Sequence, residues 1–306
     1  MLFEKEKHMR SYGVLTGPAI GFILKEAVRR AITVIRAQRL IFDAQVKLNE
    51  YKPEKDDFVT SADRAAQEVY VRVFREAFPD FGIIAEEDHL HVEPTGPEKF
   101  YLTVDPLDGT KAYVRRQSHG IGTMVSLVHE GEVITAYIGD VLTGEVYGYR
   151  PESDKVHRIT DVGAVHLEID RGRTLSDQFV LLRDETYRFS PRIQAMVAPH
   201  ETSVNRGGLF KGYEVTGGSI GISMARLWKG EVGAAVLRPG ANTPWDLDPV
   251  LGISRKLGFM FLQIDSNRPI TGSLRPVTHV IESLAETVII HESRYEELHN
   301  WLSRQH

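Results

Sequence analysis

The segment Asp105-Pro106-Leu107-Asp108-Gly109-Thr110 directly follows an apolar run, residues 100–104, that is typical of a β-strand. Its two aspartates are three residues apart, and the proline between them restricts the turn, so both carboxylates are expected to point to one place beyond the strand end. Sheets of α/β proteins usually hold ligands at that end. Gly109 permits close backbone approach, and the N–H groups of Gly109 and Thr110 would face an anion if a helix begins there.

An acidic turn with a helix cap is the ordinary explanation of an Asp-Gly pair. By contrast, the chance that a chain of this length contains the complete hexapeptide is on the order of one in ten thousand or lower. It therefore indicates a functional segment.

Three further acidic segments stand at predicted element ends. They are residues 57–63 at a helix start, Glu86-Glu87-Asp88 after an apolar run, and Asp246 after Pro244-Trp245. Each alone also fits a helix cap or a solvated loop. Together with the hexapeptide they favour a site in which carboxylate oxygens bind a hard cation such as Mg²⁺.

The composition excludes several classes of function. The 306 residues include 37 Lys and Arg, 42 Asp and Glu and no cysteine, with a net charge of −5. Disulfides, thiolate metal sites and cysteine nucleophiles are therefore excluded, and no basic block suggests a nucleic-acid partner.

The N-terminal segment lacks a signal-peptide pattern, and the longest largely apolar stretch, residues 13–24, is about half of a membrane span. We expect a cytoplasmic, soluble protein with no membrane partner.

The spacing of apolar residues predicts helices and strands in a mixed order. Helices are expected at 18–48, 61–78, 219–229, 246–257 and 293–303, and strands at 82–85, 100–104, 123–128, 133–138, 145–149, 179–182, 234–237, 259–264 and 288–291. This order predicts a layered α/β protein of the α+β kind. We expect residues 1–150 to carry the main motifs and residues 175–306 to complete the site, with the polar residues 151–173 between them.

In order and spacing these motifs resemble the inositol monophosphatase superfamily, which includes inositol monophosphatases, fructose-1,6-bisphosphatases and bisphosphate nucleotide phosphatases. The resemblance rests on residues 57–63, Glu86-Glu87, the hexapeptide and Trp245-Asp246, and it spans about residues 20–260. It implies an αβαβα sandwich and hydrolysis of a small phosphate monoester that depends on two or three Mg²⁺ ions. It also implies a homodimer and sensitivity to lithium.

The same resemblance implies a role for individual residues. The metal ligands would be Glu86, Asp105, the carbonyl of Leu107, Asp108 and Asp246. The catalytic groups would be Glu86, Thr110 and Asp63, because Glu86 and the Thr110 hydroxyl would orient or deprotonate a water molecule while Asp63 holds Thr110. The substrate would be bound by Gly109, Thr110, Lys111, Gly218 and Ser219. Clustered Mg²⁺ would screen the phosphate dianion and lower the pKa of the bound water.

The substrate expectation depends on two departures from the inositol-specific pattern. Superfamily members specific for inositol phosphate commonly carry a Glu six residues before the Asp of Trp-Asp, where this chain has Gly240. Lys111, Arg115 and Arg116 after the hexapeptide resemble bisphosphate nucleotidases, although an exposed cationic face explains them equally well. We therefore expect a substrate of the 3′-phosphoadenosine 5′-phosphate type, with inositol 1-phosphate or a sugar phosphate as the alternative.

Three other functions fit the sequence less well. A catalytically silent protein that binds a phosphorylated metabolite stays open, although every ligand position of the superfamily pattern is occupied. His89 and His91 beside the acidic run suggest a transition metal only weakly, because most histidines of surface loops are neither ligands nor bases. Ser118-His119 lacks the Gly-x-Ser-x-Gly elbow of a serine hydrolase.

Overall fold

A computed structural model describes residues 11–12, 15–47, 57–198, 207–264, 269–270 and 281–304. Its helices are α1 (Gly17–Gln38), α2 (Ser61–Ala77), α3 (Thr110–Val114), α4 (Pro191–Val197), α5 (Ile220–Trp228), α6 (Pro244–Lys256) and α7 (Tyr295–Ser303). Among the described residues, no helix combines the length and the apolar character needed to cross a membrane.

The strands form two large sheets and three two-stranded ribbons. In chain order they are β1 (Ser11–Tyr12), β2 (Leu15–Thr16), β3 (Ala44–Lys47), β4 (Asp57–Thr60), β5 (Gly82–Ala85), β6 (His91–Val92), β7 (Tyr101–Asp108), β8 (Gly122–His129), β9 (Glu132–Asp140), β10 (Val146–Tyr149), β11 (His157–Thr160), β12 (Gly163–His166), β13 (Phe179–Leu182), β14 (Gly212–Val215), β15 (Ala234–Leu237), β16 (Gly240–Asn242), β17 (Phe259–Ile264), β18 (Pro269–Ile270), β19 (Ile281–Leu284) and β20 (Thr287–His291). The first sheet has the order β12-β11-β10-β9-β8-β7-β5-β6, and the second has the order β14-β13-β15-β20-β17-β18.

The two sheets alternate with three helical layers. One apolar cluster joins α1 and α2 to the first sheet. A second lies between the two sheets and includes α5 and α6, and a third packs α4 and α7 on the outer face of the second sheet. Strand β8 shows how the layers are connected, because Val125 faces the first cluster and Met124 faces the second, as the two-residue period of a strand requires. The predicted αβαβα arrangement of an α/β protein is confirmed.

Helix α2 shows how the sequence sets the ends of an element near the site. Thr60 is its N-cap, and its hydroxyl accepts from the backbone N–H of Asp63 at 3.4 Å while Asp63 Oδ2 accepts from the Thr60 N–H at 2.8 Å. This reciprocal capping box gives partners to the backbone N–H groups of Thr60 and Asp63 at the start of the helix. The buried face of α2 includes Tyr70 and Phe74, both fully buried, and burial of a side chain such as Phe74 contributes roughly 1.5–3 kcal/mol.

Most predicted elements are observed, and the main differences concern helix α1, strand β7 and several short elements. Helix α1 ends at Gln38 rather than near residue 48, and the chain returns as β3. Strand β7 does not stop at residue 104 but continues through Asp108. The stretch 151–173 contains the β11–β12 hairpin, and the small elements α4, β14 and β16 have no predicted counterpart. Of the polar stretch 49–57, residues 49–56 lie outside the described residues, and Asp57 begins β4.

Candidate metal and phosphate site

A β-bulge brings the two aspartates of the hexapeptide to the same side of the first sheet. Asp105 pairs with Met124 and Asp108 pairs with Gly122, so three steps along β7 match two along β8. In a regular strand, residues three apart point to opposite faces, whereas an extra bulged residue reverses the second one. Pro106 lies within this bulge, where it has no N–H to donate to the ladder. The sequence thus places both carboxylates in one site.

Asp246 completes the carboxylate cluster from the second half of the chain. It lies in the first turn of α6, where Thr243 Oγ1 donates to its Oδ2 at 2.7 Å. One oxygen from each of Asp105, Asp108 and Asp246 lies within 4.8 Å of the others. This is the only group of three or more potential ligand side chains among the described residues, and it contains no histidine.

Each of the three aspartates in this cluster has a raised pKa. Burial is the main cause for all three, and Asp105 is also repelled by Glu86 and Asp108. The pKa of Asp105 lies well above its usual range, and that of Asp246 rises to about 7. Asp105 Oδ1 is buried and has no hydrogen-bond partner within the described residues. A buried carboxylate oxygen without a donor, next to two further carboxylates, fits a hard divalent cation, so these residues suit Mg²⁺.

Glu86 lies next to this cluster but makes a different contact. Lys47 Nζ, on β3, is 2.9 Å from Glu86 Oε1 and 3.1 Å from Glu87 Oε1. Burial lowers the pKa of Lys47, but the two glutamates outweigh this effect and raise it overall. Gln67 holds Glu87 by two hydrogen bonds to its backbone, of 2.9 and 3.0 Å. Sequence reasoning missed Lys47 and Gln67, because neither belongs to an acidic motif.

Asp63 and Thr110 form a hydrogen-bonded pair next to the carboxylate cluster. Thr110 Oγ1 lies 3.0 Å from Asp63 Oδ1 and 3.1 Å from the carbonyl oxygen of Leu107, either of which can accept its proton. Thr60 donates to the other oxygen of Asp63 from its backbone N–H and from its hydroxyl. Burial raises the pKa of Asp63 to about 6. The Thr110 hydroxyl is therefore held between Asp63 and the Leu107 carbonyl, and Asp63 is itself held by the N-cap of helix α2.

Three glycines permit the close contact between the two halves of the site. Gly109 has φ +93° and Gly218 has φ +77°, and a Cβ on either would lie within 2.4 Å of the Gly120 carbonyl oxygen. Beside them, the Ser219 N–H donates to that same carbonyl at 2.8 Å. Only glycine combines these backbone angles with this distance of approach.

Ser219 and the start of α5 bind Asp108 directly. The Ser219 hydroxyl lies 2.5 Å from Asp108 Oδ2, and the N–H groups of Ile220 and Gly221 donate to the same carboxylate at 3.1 and 2.9 Å. Ser219 is completely buried. In this structure its hydroxyl therefore contacts a carboxylate of the cluster, whereas the sequence suggested a contact with substrate.

The cations after the hexapeptide lie at the surface. Lys111 is half-buried on α3, whereas Arg115 and Arg116 follow the helix and are exposed. Gly240 begins β16, the short strand that precedes helix α6 and Asp246 in the chain. His91 lies on β6, with Nε2 3.0 Å from Glu93 Oε1.

The same architecture occurs in solved structures. The extragenic suppressor protein suhB from Bartonella henselae has a TM-score of 0.68 at 17% identity, covering 93% of this chain and 98% of that one. An IMPase/NADP phosphatase complexed with Mg²⁺ and phosphate has a TM-score of 0.66 at 16% identity, covering 94% and 95%. At such identities these similarities show the fold.

Sequence relatives align over shorter segments. The Nus factor SuhB of Xylella fastidiosa is 29% identical over 130 residues, which cover 42% of this chain and 44% of that protein. The 3′(2′),5′-bisphosphate nucleotidase CysQ of Salmonella typhimurium is 29% identical over 98 residues, covering 32% and 39%. The alignments thus span less than half the length of these relatives. The family model is matched far more completely, over residues 20–300. The chain belongs to the inositol monophosphatase family, a family of metal-dependent phosphatases.

Proposed function

We propose that this protein is a Mg²⁺-dependent phosphomonoesterase that hydrolyses a small phosphorylated metabolite. The observation that carries the proposal is the convergence of Asp105, Asp108 and Asp246 oxygens within 4.8 Å. The unpartnered buried oxygen of Asp105 supports it, because such an atom costs free energy unless a cation binds it. Family membership supports the same reaction class.

In the proposed hydrolysis, different residues hold the metal, orient the water and face the substrate. Asp105, Asp108 and Asp246 would hold the metal, with Glu86 and the Leu107 carbonyl as further ligands. When bound, Mg²⁺ screens the phosphate dianion and lowers the pKa of a coordinated water. Thr110 and Glu86 would orient the attacking water, and the Thr110 hydroxyl would take a proton from it while passing its own hydroxyl proton to Asp63. The N–H groups of Gly109, Thr110 and Lys111, and the turn at Gly218 and Ser219, would face the substrate.

The metal requirement is tested by phosphate release from a generic monoester. After EDTA treatment the protein should release no phosphate, and added Mg²⁺ should restore turnover. Li⁺ titrated at a fixed, non-saturating Mg²⁺ concentration should then inhibit phosphate release, because this small cation also binds oxygen ligands. Full activity without metal would contradict the proposal. No release with Mg²⁺ from any monoester would instead favour a binding protein without catalytic activity.

For the substrate we infer a bisphosphorylated nucleotide, with 3′-phosphoadenosine 5′-phosphate as first choice. Gly240 offers no carboxylate for inositol hydroxyls, and the exposed Arg115 and Arg116 follow the phosphate loop. The similarity to CysQ supports this choice, whereas the IMPase structures support inositol 1-phosphate as the alternative. One Arg–phosphate hydrogen bond contributes ~1.5–3 kcal/mol.

A two-substrate comparison decides between these choices. The bisphosphorylated nucleotide should have the higher kcat/KM, and a double R115A/R116A variant should raise KM for it more than for inositol 1-phosphate. The matched control is R72A/R75A, which removes two exposed arginines from α2. Equal effects on both substrates would make the nucleotidase assignment wrong and leave the phosphatase assignment intact. The homodimer and the cytoplasmic location stay predictions, which light scattering and cell fractionation test.

A further inference from the structure

Arg183 is the first residue after β13, and it binds the turn that precedes α5. Its Nη2 donates to the carbonyl of Gly218 at 2.6 Å and its Nη1 to the carbonyl of Ser219 at 2.9 Å. Nη1 also donates to Ser223 Oγ at 2.5 Å, one turn further along α5. A planar guanidinium can reach these consecutive acceptors at once, which a single ammonium group cannot do in the same geometry.

The turn held by Arg183 is the same one that holds Asp108. Ser219 contributes a carbonyl to Arg183 and a hydroxyl to Asp108. The N–H groups of Ile220 and Gly221 bind both oxygens of that carboxylate. The direction of Asp108 is therefore set by the second half of the chain, although the residue belongs to the first sheet.

This turn has no room to shift without moving its neighbours. Gly218 is in the left-handed region, and a Cβ there would lie 2.4 Å from the Gly120 carbonyl oxygen. The same oxygen accepts from the Ser219 N–H at 2.8 Å. Gly120 therefore fixes the turn from one side, and the guanidinium of Arg183 fixes it from the other.

We propose that Arg183 is a positioning residue that holds the turn of Gly218 and Ser219 and, through it, aims Asp108 at the metal. The inference rests on the proposed metal-dependent function and adds a residue to which no family motif assigned a role. Partners of metal ligands commonly change metal affinity by 10–100-fold when they are removed.

A purely electrostatic role makes the opposite prediction. The positive charge of Arg183 interacts with Asp108 and Asp246, so it opposes the approach of a metal cation. If charge were its only contribution, removing it would tighten Mg²⁺ binding. If it positions Asp108, its removal weakens binding despite the lost repulsion. The sign of the change in affinity therefore separates the two roles.

The experiment is isothermal titration of Mg²⁺ alone into the EDTA-treated full chain, with no substrate present. We expect Arg183→Gln to weaken Mg²⁺ binding ~10-fold or more. Arg183→Lys should weaken it as well, because lysine keeps the positive charge but cannot bind all the acceptors of the guanidinium at once. Ser223→Ala, which removes one acceptor of Arg183, should weaken binding by a smaller factor. Arg226→Gln on the same helix, where Arg226 pairs with Glu214 and Glu231, should leave affinity unchanged.

A double variant tests whether Arg183 acts through the turn. The loss of affinity in Arg183→Gln/Ser219→Ala should be smaller than the sum of the two single losses. Equal or tighter binding in Arg183→Gln, or strict additivity, would overturn the inference. If circular dichroism shows that Arg183→Gln does not fold, the Mg²⁺ affinity of Ser223→Ala is the deciding measurement. An affinity of Ser223→Ala equal to that of the wild type would then overturn the inference. A wild-type protein that binds no Mg²⁺ would instead overturn the proposed function on which the inference rests.

Discussion

At the residue scale, the site is a group of acids that lowers the stability of the protein that carries it. Asp105 is 2% exposed, and burial together with the charges of Glu86 and Asp108 raises its pKa well above the usual range. Free energy of folding is lost whenever such a group is ionised without a cation. Perturbed carboxyl groups of this kind concentrate at functional sites, where chemistry rather than stability selects them.

Replacing Asp105 by asparagine should therefore have opposite effects on activity and stability. We expect Asp105→Asn to lower kcat by ~10³-fold or more, because Asp105 would be a ligand of the Mg²⁺ that screens the phosphate and lowers the pKa of the attacking water. The same change should raise the melting temperature of the metal-free protein at pH 8, since it removes a repelled buried charge. Steady-state kinetics and thermal melts measure the two effects. The exposed Asp161→Asn is the control, and a near-normal kcat in Asp105→Asn would refute the role of this residue.

At the element scale, the site depends on irregular backbone rather than on regular helices and strands. The bulge in β7 turns Asp108 toward Asp105, and the left-handed Gly109 and Gly218 let two loops touch at the Gly120 carbonyl. Glycine adopts the left-handed conformation without strain, and bulges of this kind are common next to active sites.

Gly218 provides a direct test of this close contact. Gly218→Ala should lower the free energy of unfolding by the left-handed backbone cost of about 1–2 kcal/mol plus an overpacking cost of about 1–3 kcal/mol. Gly131→Ala is the matched control, because Gly131 has φ +75° but a Cβ there would meet nothing within 4 Å, so only the first cost applies. Urea unfolding measures both. Equal destabilisation of the two variants would contradict the close contact at Gly120.

The elements that the sequence predicts well have many buried apolar residues. Helix α2 shows helical periodicity because one of its faces is buried. Strands β8 and β10 are buried along their whole length, so they stand out as short apolar runs between turn residues. The sequence predicts too long a helix α1 because apolar residues continue past Gln38, although Leu40 and Ile41 are 78% and 79% exposed. It does not reveal the β11–β12 hairpin because this hairpin is only partly buried, and Val162 at its turn is 98% exposed. Such strands carry no alternation to detect.

The candidate site is predictable in part. Its acidic residues stand at element ends in a spacing that resembles a known family, so the sequence alone points to them. Lys47 and Arg183 are not predictable in this way, because each acts through contacts between segments far apart in the chain. The salt bridge from Lys47 to Glu86 spans 39 residues, and the bond from Arg183 to Ser219 spans 36. A single basic residue at a strand end has no local pattern that reveals such partners.

At the scale of the whole molecule, the site joins the two sheets. Asp105 and Asp108 come from the first sheet, Asp246 comes from a helix packed between the sheets, and Asp108 is bound by the start of α5. A metal ion that binds these residues together stabilises the contact between both halves. By mass action, a ligand at 100 times its Kd adds about 2.7 kcal/mol to the free energy of unfolding. Metal binding should consequently be visible in global stability.

The pH dependence of that stability follows from the direction of the pKa shifts. In the metal-free folded protein, the pKa of Asp63 is about 6 and that of Asp246 about 7, whereas the usual value for Asp is 3.8. Between about pH 4 and pH 7 the folded state thus binds protons that the unfolded state has released. Stability then falls as pH rises, because the unfolded state binds fewer protons. Ionisation of the acids in this interval also favours Mg²⁺, since the metal and the protons compete for the same oxygens.

We therefore expect Mg²⁺ to raise the melting temperature more at pH 8 than at pH 5.5. The pKa of His157 and of His291 is lowered mainly by burial, which makes stability rise with pH over part of this range and would obscure the trend. Comparison with Asp105→Asn removes this contribution, because both proteins contain the same histidines. The difference in unfolding free energy between Asp105→Asn and the metal-free wild type should grow in favour of the variant as pH rises from 5.5 to 8. A difference that stays constant, or a Mg²⁺ effect of the same size at both pH values, would show that the acids of this cluster do not titrate as their burial and mutual repulsion require.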